Sequence, residues 1–270
     1  MAEAMTFSFD TTESAAEEQA GMLLIQEASK RIKVILDQPD WADPESGSPI
    51  AAVDKLTPYQ PMSNHLHNFN TVAVDNLRAT VKYIEATNDI PMMALYSMIR
   101  SAIESTSYGL WMLSATRADK RAFYCLRLSY ENNEDLSSLG RVFNPQDKGG
   151  ANTRERLLEL QQSLRRYKDR DLAGRVTTTD VVVNADKVVG KRHAFTGIQV
   201  WKSCSGLAHG NSALLPILLE RKFTAQGDKG VIFMLTSRLS FVGGFLIAAV
   251  ENLEVMRARY HREMQPQGHY

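Results

Sequence analysis

The sequence predicts an all-α protein, a multi-helix bundle with one small β-hairpin before a long C-terminal helix. Apolar residues recur at steps of three and four along most of the chain, which is the spacing of amphipathic helices. The segment ILLERKFTAQGDKGVIFML differs, because two strand-like runs flank residues 226–230. The chain has neither a long repeat nor a low-complexity tract, which favours a globular bundle over a repeat array.

The N-terminal part is predicted to be one helix followed by a proline-rich connection. Apolar residues at 24, 28, 32 and 35 mark a helix over residues 13–37. Five of the nine prolines lie in the connection, which extends to residue 61. Because a lone helix cannot bury its own apolar face, we expect residues 1–61 to pack with a helical domain at 62–270 as one unit.

The rest of the chain is predicted to form seven helices, separated by loops and the hairpin. Pro91 suits the first turn of a helix, Thr178 or Thr179 suits an N-cap, and Gly210 suits a helix end. Apolar spacing between these signals places the helices at residues 74–88, 91–114, 117–139, 157–167, 180–189, 195–209 and 239–260.

The charge pattern limits the protein's location and its partners. The 31 basic and 31 acidic residues balance, so contact with RNA must come from a local patch such as residues 154–192, with ten basic and six acidic residues. The first 29 residues are acidic, unlike a secretory or mitochondrial leader. The apolar run at 241–250 is too short to cross a bilayer. We therefore predict a cytoplasmic protein that does not bind membranes.

The two cysteines, Cys125 and Cys204, form neither a disulfide framework nor a metal-binding spacing. They are expected to be buried free thiols. A thiol enzyme using Cys204 with His209 is an alternative, although residues five apart share a helical face poorly. The chain also lacks a glycine-rich phosphate loop and paired His or Cys ligands, so we predict no cofactor and no metal.

The third predicted helix carries a polar stripe on an otherwise apolar surface. In IRSAIESTSYGLW, Arg100 and Glu104 are four residues apart and can pair. Two interpretations follow. The ion pair is structural, with Glu131 or Glu134 of the next helix as further partners, or the stripe lines a polar cavity that serves a reactive group.

The segment WKSCSGLAHGNS contains the candidate reactive group, His209. Lys202 lies seven residues earlier on the same side of the helix, roughly 10 Å away along the axis. The small residues between them leave room for a ligand. In the structural interpretation, His209 beside Gly210 simply caps the end of the helix.

These two segments together resemble the HEPN superfamily of nucleotide-binding helical domains. The similarity is to its prokaryotic branch with Arg-x-x-x-Glu in a middle helix and Ser-x-x-x-His-Gly in a late one, and it covers roughly residues 70–260. The residues that carry the resemblance are Arg100, Glu104, Ser205, His209 and Gly210.

The resemblance implies a metal-independent endoribonuclease, or a degenerate relative of one. Active members carry Arg, four to six residues and then His, whereas this chain has Lys202, six residues and His209. Lysine lacks the planar fork with which arginine holds a phosphate, which affects catalysis more than phosphate binding. The implied catalytic residues are His209, Lys202, Arg100 and Glu104, and the implied binding residues are Ser203, Ser205 and Asn211.

The resemblance also implies RNA as substrate, a homodimer with the site at its interface, an antitoxin or other regulatory partner, and a toxin or phage-defence role. The basic residues at 154–168 would guide the RNA backbone, or would form a solvated helix face. The alternative function is a non-catalytic helical interaction module, in which Arg100, Glu104 and His209 form a structural polar cluster.

Overall fold

The architecture is known from a computed structural model, which describes residues 10–38, 41–146, 149–192, 194–227 and 230–266. These residues form ten helices and one antiparallel hairpin, which confirms the predicted fold class. The helices are α1 (Ala15–Leu36), α2 (Pro49–Asp54), α3 (Met62–Thr87), α4 (Ala94–Ser114), α5 (Ala118–Phe143), α6 (Ala151–Ser163), α7 (Thr178–Val189), α8 (Gly197–Ala208), α9 (Leu215–Leu218) and α10 (Leu239–Glu263). The strands are β1 (Leu219–Gly227) and β2 (Gly230–Ser237).

Several helices begin at side-chain caps that the sequence encodes. Helix α1 starts with a capping box between Ser14 and Glu17, and α8 starts with one between Thr196 and Gln199. In both boxes the hydroxyl oxygen accepts a backbone N–H of the first turn, while the longer side chain accepts the N–H of the cap residue. These caps fix where each helix begins.

The structure corrects several predicted helix boundaries. Helix α3 begins at Met62 rather than near residue 74, because the Asp54 carboxylate accepts the Ser63 N–H and anchors an earlier first turn. Helix α4 begins at Ala94 rather than at Pro91. The Pro91 carbonyl instead accepts a hydrogen bond from the Ser237 hydroxyl, which holds this residue outside the helix.

The predicted helix at 157–167 is shifted, since α6 ends at Ser163. The Gln161 side chain donates to the carbonyl oxygens of Tyr167 and Arg170 and thereby holds the following residues in turns. The proline-rich connection is also less irregular than predicted. It contains α2, which Ser48 caps and Pro49 begins.

The chain divides into two compact units, each built from three separate segments. The first unit comprises the described residues of 1–38, 72–104 and 190–253. The second unit comprises the described residues of 39–71, 105–189 and 254–270. The predicted boundary between residues 61 and 62 stays a prediction.

In the first unit, the N-terminal segment is tied to the last third of the chain. Thr11 pairs with Arg221 of β1 through two backbone hydrogen bonds of 3.0 and 3.1 Å. The Glu13 carboxylate accepts the N–H groups of Leu239 and Ser240, at 2.6 and 3.0 Å, and so caps α10. At Gly21 of α1, an added Cβ would lie 2.3 Å from the Leu239 backbone, so only glycine fits there.

Helix α10 contains a long apolar segment. Its length and hydropathy would suffice to cross a membrane, but 72% of its apolar window is buried inside the protein. Residues from Val242 to Val250 are almost completely buried. This burial is typical of the core helix of a soluble protein.

In the second unit, a buried arginine joins the ends of three helices. The Arg121 side chain of α5 is 8% exposed. Its guanidinium donates to the carbonyl oxygens of Leu113 and Ala115, at the end of α4, and pairs with Glu263 at the end of α10. Cations are favourable at helix C-termini, so Arg121 caps α4 and is also joined to α10 by its ion pair with Glu263.

Candidate functional site

The two charged residues of the polar stripe on α4 form an ion pair, as their spacing predicts. Arg100 Nη2 lies 3.5 Å from Glu104 Oε2, four residues along the helix. The two side chains are 29% and 31% exposed, so the pair is neither fully buried nor freely solvated. The predicted i,i+4 pairing is therefore confirmed, on a helix whose other sides are largely core.

Trp201 of α8 contacts both residues of this ion pair. Its indole Nε1 donates to Glu104 Oε2 at 3.0 Å, and Arg100 Cζ lies 5.9 Å from the centre of the ring. The second contact is within the range of a cation–π interaction. We call Arg100, Glu104 and Trp201 the Arg100 cluster. It lies within the first unit and links α4 to α8.

Sequence reasoning did not find Trp201, although a signal was present. A partly buried tryptophan usually requires an acceptor for its N–H, and the polar stripe on α4 offered a carboxylate. Nothing in the one-dimensional pattern shows that α8 lies against α4. The partner of Trp201 could therefore be narrowed to a class of residue but not identified.

The hydrogen bonding of Arg100 is incomplete. Its Nε atom is buried and has no hydrogen-bond partner among the described residues. An unpaired buried donor costs free energy, so proteins keep such groups rarely and often at functional sites. Arg100 thus has a carboxylate on one side, an indole face on another, and hydrogen-bonding capacity left over.

Lys202 and His209 lie on the solvent side of α8. Lys202 directly follows Trp201, and both Lys202 and His209 are exposed. Within the described part of the chain, neither the ammonium nor the imidazole forms a hydrogen bond or an ion pair. Their separation of seven residues places them on the same side of the helix, about 80–100° around the axis from Trp201.

His209 also forms the end of α8. Its backbone N–H donates to the carbonyl oxygens of Ser205 and Leu207, and Gly210 follows with φ +63°. A left-handed residue at this position is the usual way to end a helix. The imidazole itself remains available to a ligand.

The predicted binding residues differ in their surroundings. Ser203 and Ser205 are half-buried on α8, whereas Asn211 is exposed. The Asn211 side-chain oxygen accepts the Ala213 N–H at 3.0 Å, and its backbone carbonyl accepts the N–H groups of Leu214 and Leu215. Asn211 therefore stabilises the turn that leads into α9.

The acidic residues suggested as further partners of the ion pair are engaged elsewhere. Glu131 lies 3.4 Å from Arg175 Nε, and Glu134 pairs with Arg154. The structural interpretation of the stripe therefore depends on Trp201 and not on the helix that follows α4.

Cys204 does not have the environment of a nucleophile. The residue is completely buried, and burial raises the pKa of its thiol well above the ordinary value, although the charge of Arg100 acts in the opposite direction. Cys125 is buried as well, and burial likewise raises the pKa of its thiol. Both cysteines are free thiols, and neither matches the exposed, low-pKa site of a thiol enzyme.

Metal ligands are not clustered in the part of the chain that the structure describes. In those residues, no group of three or more His, Cys, Asp or Glu side chains could hold a metal ion.

The basic residues from Arg154 to Lys168 lie in two structural elements. Arg154 and Arg156 are exposed on α6, while Arg165, Arg166 and Lys168 lie in the turns after it.

The fold and the site define an all-α protein with an Arg–Glu–Trp cluster between two helices and two exposed side chains, Lys202 and His209, that have no partner among the described residues. Comparison with models of protein families, with curated proteins and with solved structures gives no match for the chain. The resemblance to the HEPN superfamily therefore remains an expectation that depends on the residues themselves.

Proposed function

We propose that the protein is a HEPN-like, metal-independent endoribonuclease of the cytoplasm, or a degenerate relative, with a toxin or phage-defence role. One observation carries the proposal. Among the described residues, Lys202 and His209 have no hydrogen-bond or ion-pair partner on the exposed side of α8, while the adjacent side of α8 holds Arg100 through Trp201 and Glu104. Two cations and an imidazole on adjoining elements are the groups that RNA cleavage needs.

The proposed reaction is attack of an RNA 2′-hydroxyl on the adjacent phosphate. His209 accepts the 2′-hydroxyl proton, because a neutral imidazole has a ring nitrogen that can take up a proton. The new phosphorus–oxygen bond forms as the bond to the 5′-oxygen breaks, and that oxygen takes up a proton from water. The products are a 2′,3′-cyclic phosphate and a 5′-hydroxyl.

The remaining residues stabilise charge or hold position in this proposal. Lys202 and Arg100 offset the charge that develops on the phosphate oxygens. Glu104 orients Arg100, and Ser203, Ser205 and Asn211 contribute polar contacts. A homodimer would place two such sets together and double the positive charge, and an antitoxin or other regulatory partner would restrain the activity.

Incubation of the purified protein with total RNA in EDTA tests the proposal. The H209A variant is expected to cleave at least about 100-fold more slowly than the wild type, because general acid–base groups contribute factors of this size. The K202A variant should also lose activity, through weaker charge stabilisation. RNA fragments and their cyclic phosphate ends are measured by gel electrophoresis and mass spectrometry.

The matched control is H67A, which removes an exposed histidine of α3. It should cleave like the wild type, and all variants should melt at the same temperature. Equal rates for H209A and the wild type, or equal losses in H209A and H67A, would contradict the assignment of His209. Absence of cleavage by the wild-type protein would contradict the ribonuclease itself.

The second candidate is a non-catalytic helical interaction module. It is favoured by one observation, namely that Glu104 already has two partners, Arg100 and Trp201, which join α4 to α8. In this function the Arg100 cluster is a structural link and His209 is the end of a helix.

Substitution within the cluster tests this structural role. We expect W201F to lower the free energy of unfolding by about 1 kcal/mol, because it removes the hydrogen bond to Glu104 and keeps the ring. Thermal melts measure the change, with K202A as the control on the exposed side of the same helix. A W201F protein as stable as K202A would show that the cluster does not hold α8.

A further inference from the structure

A cleft of about 340 Å³ lies between α1 and α3 in the first unit. Its floor is formed by the buried side chains of Ile25, Val81 and Ile84, and Met22 lies at its rim. Ligand pockets start at about this volume and combine an apolar lining with a few polar groups. An unbranched methionine at the rim can adapt to different ligand shapes.

The polar groups of the cleft leave one positive charge uncompensated. The Glu85 carboxylate accepts the Ser29 hydroxyl at 2.6 Å and the Lys33 ammonium at 2.8 Å. These hydrogen bonds, that of Lys33 first, lower the pKa of Glu85. Lys33 and Glu85 therefore neutralise each other. Lys30, which also lines the cleft, is exposed and forms no ion pair within the described residues.

We propose that this cleft binds a small amphipathic anion. The apolar body of the ligand, an aryl group or a short alkyl chain, packs on Ile25, Val81 and Ile84. Its carboxylate or sulfonate faces Lys30, the cation of the cleft that forms no ion pair within the described residues. The proposal is independent of the ribonuclease function, since it uses none of the residues of the Arg100 cluster and neither Lys202 nor His209.

Two fluorescent probes with the same rings test the chemistry of the site. 1-Anilinonaphthalene-8-sulfonate carries an anionic group, and N-phenyl-1-naphthylamine lacks it. Titration of the full-length protein at physiological salt should give one saturable site for each probe, with tighter binding of the sulfonate. Failure of the sulfonate probe to saturate a single site would overturn the proposal.

Two pairs of variants locate the binding. K30E should weaken binding of the sulfonate about tenfold, because it reverses the nearby charge, and should leave the neutral probe unaffected. K187E makes the same charge change on α7, outside the cleft, and should bind both probes like the wild type. Equal weakening by K30E and K187E would overturn the role of Lys30.

The second pair fills the cleft. Gln26 lies at its mouth and is exposed, so Q26W should fold normally and abolish binding of both probes. Ala79 is exposed on α3 but does not line the cleft, and A79W should bind like the wild type. Melting temperatures confirm that each variant folds. Undiminished binding in Q26W would show that the probes occupy another surface.

Discussion

Replacing Arg121 by alanine is expected to lower the free energy of unfolding by about 3–5 kcal/mol, the usual cost of breaking a buried ion pair from one side. The substitution leaves the carbonyl groups of Leu113 and Ala115 without their donor and leaves Glu263 without its cation. The planar guanidinium serves all three acceptors at once, so R121K should recover only part of the loss. Denaturant unfolding followed by circular dichroism measures both changes.

The control for R121A is R117A, which replaces an arginine four residues earlier in the chain. Arg117 also pairs with an acid, Asp119, but its side chain is 43% exposed. Exposed ion pairs contribute little to stability, so R117A should unfold within experimental error of the wild type. Equal stability of R121A and R117A would show that neither the cap of α4 nor the ion pair with Glu263 stabilises the protein.

Acidification should destabilise the protein through His65. Burial lowers the pKa of this imidazole from 6.5 to about 4, and its Nε2 atom lies 3.1 Å from the Ser129 hydroxyl. Between these two values the unfolded chain binds a proton that the folded protein excludes, so stability falls as the pH decreases. The difference amounts to about 3 kcal/mol over the whole window, of which about 2 kcal/mol is lost by pH 5.

The H65Q variant isolates this effect, because glutamine can still reach Ser129 but does not titrate. Unfolding free energies at pH 7.5 and pH 5 should differ by about 2 kcal/mol less in H65Q than in the wild type. Acidic groups contribute equally to both proteins and cancel in this comparison. H67Q, at an exposed position of the same helix, should retain the wild-type dependence. An unchanged dependence in H65Q would contradict the burial of a neutral His65.

The long helices and the hairpin could be predicted because their signals are local. Periodic apolar residues mark α1, α5 and α10, and the hairpin lies at the predicted turn. Short helices lack enough turns to show a period, so α2 and α9 were missed. Ser48 followed by Pro49 is a start signal for α2. It was not recognised, because the many prolines of the segment indicated an irregular connection.

Only the part of the site that depends on local spacing could be predicted from the sequence. Arg100 and Glu104 are four residues apart on one helix, so their pairing follows from sequence. The contact between Glu104 and Trp201 joins residues 97 positions apart, and it depends on how α8 packs against α4. Sequence periodicity shows which face of a helix is apolar but not which helix covers it.

The cap that Glu13 provides for α10 has a consequence for the order of events during synthesis. Glu13 and Ser240 are separated by 227 residues. At ordinary translation rates of about 5–20 residues per second, the ribosome needs about 10–45 s to make the chain between them. Helix α3, which contacts α1 through Glu85 and Ser29, is made early, but the side of α1 at Gly21 that contacts the start of α10 stays uncovered until nearly the whole protein has emerged. A chaperone that shields this face would act during that interval.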